Sequence, residues 1–481
     1  MASSDIKQLG SHTIIYGVGY VITRMIPFFL FPFYTHYIAR ADYGVVQLIY
    51  STIGFMNIIF HYGLDTAFLR FFVKKDENFG RKEVFTHAFM SLLFTGVIFS
   101  SLIWKNSGHI SLLLFDVENY GRLIQYSGVI LLLNALTNIP LYYLRMVNKA
   151  VTFNLLNILN VILTFSLNVY FIHFLNKGIE YILISNIIAS LVTLFMEFPI
   201  IIINFSFKIP RSLWKKMILF GLPFIPGGLA SMILEMIGRF MLQRMTDLET
   251  VGLYLSGYKL GIFMLIVITA YKFAWQPFFL NKGDDPEAPG IFARIMTFFL
   301  AVLGAVYLAV AFYIHDILRL RIFGINIFDE SYWGAEPIVP IILAAYIFLG
   351  IYMNLVPAIY FTEKTWVIPL FSGSAAIVNI LLNYLLIPVW GMIGAAWATL
   401  IAYFWMAFLT WFITRKWYPI PYEWKNLFVI AMGVIVLSFA YFYFEPTSLL
   451  IKLLLLSLYI VLLFSTKTLI SPRKILNIIR G

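Results

Sequence analysis

The most constraining feature of this sequence is a series of long apolar segments that fills almost the whole chain. Charged residues, Pro or Gly separate the segments. An α-helix needs about 20 apolar residues to cross the hydrocarbon core of a bilayer, and these segments reach that length. Only 12% of the 481 residues are charged, whereas soluble domains carry about 25%. The sequence therefore predicts an all-α polytopic membrane protein.

We predict 14 transmembrane helices. They comprise residues 12–38, 45–72, 84–104, 122–144, 151–174, 180–204, 217–243, 252–279, 291–314, 337–361, 366–388, 392–414, 426–444 and 447–466. Only Pro388–Gly391 separates the eleventh span from the twelfth, and only Glu445–Thr447 separates the last two, so a count of 12 remains open. The first span is too long for the core of a cleavable signal peptide and is expected to be retained.

The positive charges predict the orientation of the chain. Most Lys and Arg residues fall in alternate loops, as in the cluster at 208–216 and in the C-terminal tail. Cytoplasmic loops carry such an excess, so both termini are expected to be cytoplasmic. The same bias explains the net charge of +11, and no nucleic-acid partner is expected. The absence of cysteine excludes disulfides and thiolate metal sites.

Short similarities between the two halves predict an internal duplication, as in many transporters. Tyr16-Gly17 opens the first span and Phe220-Gly221 opens the seventh. The predicted units are a six-helix N-terminal lobe at 1–207, a basic cytoplasmic linker at 208–216, a six-helix C-terminal lobe at 217–420, and an extra helix pair with a basic tail at 421–481.

The seventh span opens with an unusual density of Gly and Pro, including Gly221, Pro223 and Pro226. Pro removes a backbone donor and Gly weakens a helix, so this start is predicted to be irregular. In hydrocarbon, freed backbone groups are tolerated only against protein or a wet cavity. The seventh span is therefore predicted to face an interior path.

Seven ionisable residues inside the predicted spans are candidate functional residues, because such groups usually face a partner or water. The cations are Arg24, Arg70, Arg239, Lys259 and Lys272, and the acids are Asp65 and Glu235. The i,i+4 spacing of Glu235 and Arg239 predicts a pair on one helix face. The cations come from the first, second, seventh and eighth spans and outnumber the acids. They predict a positively charged path that suits a phosphate or diphosphate substrate.

Structural roles remain open for several of these residues. Arg70 and Lys259 lie near enough to a membrane face to extend toward water, and Glu235 with Arg239 is also interpretable as a packing pair. Asn residues of the fifth and eleventh spans are expected mainly to join helices. The seven His residues show no metal-ligand spacing, so no metal cofactor is expected.

Two groups of motifs identify a family. They are Tyr16-Gly17, Arg24, Pro32, Asp42-Tyr43-Gly44, Gly63-Leu64-Asp65 and Arg70 in the first copy, and Phe220-Gly221-Leu222-Pro223, Lys364, Asn379, Asn383, Ile387-Pro388, Gly391 and Gly394-Ala395-Ala396 in the second. With them, most of the chain resembles the polysaccharide-transporter (Wzx-type) branch of the multidrug/oligosaccharidyl-lipid/polysaccharide (MOP) superfamily.

The resemblance implies two six-helix lobes in a V, as in MATE and MurJ transporters, with alternating access. It implies flipping of undecaprenyl-diphosphate-linked oligosaccharide to the outer leaflet of an inner membrane, for O-antigen, capsule or exopolysaccharide synthesis. The implied partners are this lipid-linked oligosaccharide, membrane lipid, a polysaccharide polymerase and a chain-length regulator. The implied coupling ion is Na⁺ or H⁺.

Related lipid II flippases use cations of the first and eighth spans at the diphosphate, and Arg24 and Lys272 match these by span and depth. Lys259, Arg239 and Arg70 are expected to assist. Asp65 and Glu235 are expected to hold these cations or a coupling ion.

Two other functions remain open. A cation-coupled drug exporter of the same superfamily is expected to have acids dominating its cavity. A membrane glycosyltransferase or polymerase is expected to have a large acidic outer loop, and the candidate acids are Asp116, Glu118, Asp316, Asp329 and Glu330. The sequence favours a transporter over an enzyme.

Overall fold

The computed structural model describes residues 22–23, 25–26, 28–73, 79–147, 149–208, 210–282, 285–322, 325–362, 364–444 and 448–465. Helices dominate these residues. They are α1 (28–37), α2 (Arg40–His61), α3 (Leu64–Val73), α4 (Arg81–Lys105), α5 (Ser107–Phe115), α6 (Gly121–Met146), α7 (Ala150–Val169), α8 (Glu180–Asn204), α9 (Arg211–Gly221), α10 (Phe224–Met245), α11 (Leu248–Leu260), α12 (Ile262–Lys282), α13 (Ala288–Leu318), α14 (Ile338–Phe361), α15 (Ile368–Thr414), α16 (Trp424–Phe444) and α17 (Leu449–Ser465).

Short elements complete the described chain. A π-helical turn, Tyr170–Phe174, continues α7, and 3₁₀ turns cover Glu330–Ala335 and Thr365–Val367. The two-residue strands β1 (Arg321–Ile322) and β2 (Ile325–Asn326) pair antiparallel in the predicted loop between the ninth and tenth spans. The predicted all-helical fold class is confirmed, with this hairpin as a small addition.

Ten helices of the described residues are long and apolar enough to cross a membrane, or eleven if the bent pair α11–α12 is one span. The prediction of 14 differs for local reasons. The first predicted span lies partly outside the described residues, the last is the shorter helix α17, and two spans are merged in the 47-residue α15.

A break at Gly391 divides α15 at the position that separates the eleventh predicted span from the twelfth. Gly391 has φ 53° and ψ −129°, outside the helical region. A Cβ added there meets nothing within 4 Å, so conformation rather than space requires glycine. The local Pro and Gly signal therefore marks a real change of direction.

The chain divides into two compact units, Met1–Leu255 and Ser256–Gly481. In the N-terminal unit, α3 packs against α4, α6 and α9, and α2 packs against α6 and α10. In the C-terminal unit, α13 packs against α12, α14, α16 and α17. The predicted division into lobes at 1–207 and 217–420 stays a prediction.

An ion pair fixes the last helix to the C-terminal unit. Lys452 of α17 pairs with Asp316 of α13, and its side chain is only 3% exposed. Its ammonium also lies 5.4 Å and 5.9 Å from the ring centroids of Tyr313 and Tyr441. The pair and the rings together compensate the burial of this cation.

Replacing Asp316 by alanine is expected to lower the free energy of unfolding by about 1–3 kcal/mol, because it leaves the Lys452 ammonium buried without its carboxylate. This is less than for a fully buried pair, since the Asp316 side chain is 50% exposed. The double variant Asp316→Ala/Lys452→Met is expected to recover most of the loss. Denaturant unfolding of the purified variants measures both effects, and a double variant no more stable than the single one would contradict the prediction.

Candidate functional site

The second predicted span is broken between α2 and α3. Tyr62 and Gly63 join the two helices and have positive φ angles of 34° and 73°. The seventh span is interrupted between α9 and α10, at Leu222 and Pro223. Here the backbone angles stay helical while Pro223 lacks the donor of the helical ladder. The seventh span is therefore interrupted only by a two-residue turn, and its backbone is less irregular than the sequence predicts.

The two interruptions lie directly against each other. A Cβ added to Gly221 would lie 2.9 Å from the carbonyl atoms of Gly63 and 2.9 Å from the carbonyl oxygen of Tyr62. A Cβ added to Gly63 would overlap the backbone of Gly221. Only glycine at both positions permits this approach, which we call the Gly63–Gly221 contact.

A cavity of about 300 Å³ lies beside the Gly63–Gly221 contact. The second span contributes most of its polar lining, and the first turns of α10 contribute an apolar wall. The lining residues are Gly54, Asn57, Ile58, His61, Gly63, Asp65, Thr66, Phe224, Ile225, Gly228 and Met232. The cavity thus brings the predicted residue Asp65 against the irregular part of the seventh span.

Asp65 belongs to a polar group between the second and fourth spans, and its Oδ1 accepts from the Thr66 backbone amide at 2.8 Å. Its carboxylate interacts electrostatically with the imidazole of His61. The hydroxyl of Tyr142 interacts with Asp65 and with the side chain of Asn138. The Asn138 amide nitrogen lies 3.4 Å from both ring nitrogens of His61. We call His61, Asp65, Asn138 and Tyr142 the His61–Asp65 cluster.

The predicted cations of the N-terminal unit contact other helices. Arg239 is partly buried and donates from Nη1 to Ser51 Oγ of α2 at 2.8 Å. Arg70 is exposed, and its guanidinium carbon lies 4.2 Å from the ring centroid of Phe220 on α9. Glu235 is exposed. The partner shown for Arg239 is therefore across the helix interface, not the predicted Glu235. Arg24 lies outside the described residues.

The other two predicted cations belong to the C-terminal unit. Lys272 is exposed on α12, and Lys259 is partly buried on α11. The neighbours of Lys272 in sequence are held firmly: Tyr271 donates to Asn354 Oδ1 at 2.6 Å, and Trp275 Nε1 donates to the carbonyl oxygen of Met353 at 3.2 Å. These bonds fix α12 on α14 and leave the Lys272 side chain outside the packed aromatic core.

A second, apolar cavity adjoins the polar one. Its volume is about 470 Å³, and it lies between α2, α5, α6 and α10. Met232 lines both cavities, while residues such as Phe55, Leu131 and Phe240 line only the apolar one. Arg244 lies at the C-terminal end of α10. It contacts Asp116 and the carbonyl oxygen of Leu113 at the end of α5.

Sequence reasoning missed several polar residues. His61 and Asn138 lie in the cluster, and the i,i+4 spacing of His61 and Asp65 around Tyr62-Gly63 was the available signal. Glu197 of α8 is also fully buried, and neither carboxylate oxygen has a hydrogen-bond partner among the described residues. The sequence did not predict this burial. Apolar residues occupy all faces of α8 around Glu197, so no face of the helix is marked as the interior one.

The sequence comparison gives the family. Residues 9–281, more than half of the chain, match the family model described as polysaccharide biosynthesis protein. The chain belongs to this family. This is the Wzx-type family that the sequence motifs resemble, so the resemblance is confirmed. No curated protein sequence matches the chain.

Solved structures share the fold. The lipid II flippase MurJ in an inward closed conformation matches with a TM-score of 0.78 and 15% identity, over 95% of this chain and 100% of that one. A MATE transporter in complex with MaD3S gives 0.62 and 14%, over 85% and 95%. A MOP superfamily transporter from Pyrococcus furiosus gives 0.61 and 14%, over 84% and 95%. The protein is a multi-pass membrane protein with a transporter fold.

Proposed function

We propose that this protein is a flippase for undecaprenyl-diphosphate-linked oligosaccharide units. It moves them from the cytoplasmic to the outer leaflet of an inner membrane, by alternating access, for surface polysaccharide synthesis such as that of O-antigen or capsule. Its family supports a role in polysaccharide biosynthesis, and its fold supports movement of a substrate across the bilayer. Both termini are cytoplasmic, and a polymerase and a chain-length regulator act on the flipped units.

The excess of cations in the span regions carries this proposal. Arg70, Arg239, Lys259 and Lys272 lie on helices α3, α10, α11 and α12, and the sequence adds Arg24 in the first span. The acids of the same spans are fewer. They are Asp65, which interacts with His61, and Glu235. A diphosphate crossing a low-dielectric region requires charge-assisted hydrogen bonds, and Arg and Lys provide them.

The contacts of the cations suggest different roles. The Lys272 ammonium is exposed on a helix that its aromatic neighbours hold in place, so it is available to an oxygen of the diphosphate. The Nη1 of Arg239 donates to the neutral hydroxyl of Ser51. A phosphate oxygen that takes the place of this hydroxyl accepts the same hydrogen bond and adds an attraction between opposite charges. We assign the diphosphate to Arg24 and Lys272, with Lys259, Arg239 and Arg70 assisting and Glu235 competing for these cations.

A drug exporter of the same superfamily is the second candidate. The likeness to MATE structures and the apolar cavity of about 470 Å³ favour it. Drug cations would need acids along their path, and cations outnumber acids here. The glycosyltransferase alternative is weaker, since four of its candidate acids have structural contacts. Asp116 binds Arg244, Asp316 binds Lys452, Asp329 accepts from the Ser331 amide, and Glu330 accepts from Asn326 Nδ2.

Deletion of this protein is expected to leave complete undecaprenyl-diphosphate-linked repeat units in the cytoplasmic leaflet, because synthesis continues while translocation stops. The measurement is extraction of lipid-linked sugars combined with leaflet-specific enzymatic labelling. Restoring the wild-type sequence is the control. Complete units that reach the outer leaflet but stay unpolymerised would favour an enzyme, and an unchanged leaflet distribution would favour the drug exporter.

A further inference from the structure

The apolar cavity between α2, α5, α6 and α10 is lined almost entirely by hydrocarbon. None of the described residues that line it is charged. Its two hydroxyl groups donate within their own helices, Thr52 Oγ1 to the carbonyl oxygen of Leu48 at 2.9 Å and Ser127 Oγ to that of Ile124 at 2.7 Å. A buried water needs about two to four polar partners, so these walls do not hold water. They also offer no acid to a drug cation.

The size of the apolar cavity calls for an occupant. An empty cavity destabilises a protein in proportion to its volume, and this one measures about 470 Å³. Since a dry cavity of about 150 Å³ holds benzene, this volume has room for roughly three times as much hydrocarbon, on the order of 18 carbon atoms. That is the size of one phospholipid acyl chain. The undecaprenyl chain of the proposed substrate is several times too long.

The apolar cavity opens beside α5. Leu113 of α5 lines the cavity and is nevertheless 67% exposed. Trp104, which follows the lining residue Ile103 at the end of α4, is 53% exposed. Exposed Trp residues collect at the membrane–water interface. In the orientation proposed above, α5 follows the outer end of the third span, so the opening lies at the level of the outer leaflet.

Basic residues lie at the same end of the helices that wall the cavity. Lys105 is the last residue of α4, Arg122 lies in the first turn of α6, and both are exposed. The two helix ends are joined, because Gln125 Nε2 of α6 donates at 3.2 Å to Ser107 Oγ, two residues beyond Lys105. The acids of this loop are Glu118 and Asp116, the latter paired with Arg244. The exposed cations suit the phosphate of a lipid headgroup.

We propose that the apolar cavity binds one acyl chain of a phospholipid from the outer leaflet, with the lipid phosphate near Lys105 and Arg122. This lipid is a resident ligand and not the cargo, so the proposal stands apart from the proposed function. The contacts of Arg244 with Asp116 and with the carbonyl oxygen of Leu113 hold α5 beside the chain.

The position of the chain gives it a regulatory role. The apolar cavity has α10 on one side and α2 and α6 on the other. A ligand that binds one packing of these helices stabilises that packing by mass action. Flexible Met side chains in the walls, Met56, Met232 and Met236, adapt to an irregular chain. Phospholipid therefore favours the conformation in which α10 lies against the second and fourth spans.

Photolabelling locates the chain. Purified full-length protein is placed in nanodiscs with phosphatidylglycerol that carries a diazirine at the end of one acyl chain. We expect label in α2, α6 and α10. The variant Thr52→Leu/Ser127→Leu fills the cavity from two walls and should reduce this label about tenfold, because its side chains occupy the space of the chain. Thr137→Leu is the matched control, since its hydroxyl also donates within α6, at 3.1 Å, but lies outside the cavity.

Equal labelling of the filled variant and the Thr137→Leu control would overturn the proposal. So would undecaprenyl phosphate carrying the same diazirine, if it labelled these walls in preference to the phospholipid, because the occupant would then be an isoprenoid chain.

Thermal unfolding gives a second measurement, on protein stripped of lipid in detergent. The filled variant should melt at a higher temperature than wild type, since leucine replaces the void. Added phosphatidylglycerol should raise the melting temperature of wild type and of Thr137→Leu but not of the filled variant. If the double variant does not fold, Ser127→Leu alone should show a reduced response. A wild-type melting temperature that ignores phospholipid would overturn the proposal. Neither measurement needs flipping, so failure of the proposed function leaves both readable.

Discussion

Replacing Gly63 by alanine is expected to destabilise the N-terminal unit by about 3–5 kcal/mol. Gly63 has a φ of 73°, which alone costs a non-glycine residue about 1–3 kcal/mol. Its added Cβ would also overlap the Gly221 backbone, which cannot move as a side chain would. The expected result is a lower melting temperature and less protein in the membrane, measured by fluorescence-detected size-exclusion chromatography after heating.

Gly373→Ala is the matched control for this substitution. Gly373 lies inside α15, and a Cβ there meets nothing within 4 Å. Alanine is the better helix former by about 1 kcal/mol, so this variant should be as stable as wild type or slightly more so. If Gly63→Ala and Gly373→Ala melt at the same temperature, the Gly63–Gly221 contact does not carry the stability that we assign to it.

Replacing Lys272 by alanine is expected to reduce flipping at least ~100-fold while the protein remains folded in the membrane, since loss of a preorganised charge at a desolvated anion costs about 3 kcal/mol. Arg24→Ala is expected to have a similar effect. Lys272 is exposed and outside the packed core of α12, so its removal should leave stability unchanged. Flipping is measured in proteoliposomes, with membrane amounts compared by immunoblot.

Two further variants define the role of this charge. Lys272→Arg keeps the positive charge and should retain part of the activity, although the guanidinium is a planar fork and not a point charge. Lys416→Ala removes an exposed lysine just after α15 and should flip at the wild-type rate. Wild-type flipping by Lys272→Ala would remove Lys272 from the site, and equal losses in both alanine variants would indicate a general effect of surface charge.

The spans were predictable because the bilayer imposes one length on every apolar segment. The break at Gly391 was also predictable, since Pro388 and Gly391 are local signals. The break at Tyr62 and Gly63 was not, because its cause is the approach of Gly221, more than 150 residues away in the sequence. Local sequence shows where a helix is weak, and tertiary packing determines whether the helix breaks there.

The candidate site was predictable only in part, for the same reason. Asp65 was identified because an acid in a span needs a partner. Its contact with Tyr142 depends on how the second span packs against the fourth, and its contact with His61 crosses the break at Tyr62 and Gly63. The spacing of Glu235 and Arg239 predicted a pair within one helix. The structure instead shows Arg239 bound to Ser51, a contact between spans that no spacing rule contains.

The packing of α2 also determines how related proteins can exchange segments. The backbones of α2 and α11 are in direct contact at Gly44 and Gly252. The Arg40–Glu249 ion pair joins the same two helices. The seventh span and the start of the eighth are thus matched to the second span residue by residue. A chimera joined at the basic linker, 208–216, would separate these matched surfaces although it respects the sequence repeat. A crossover after Leu260 would keep them together, so recombination between relatives should be tolerated there and not at the linker.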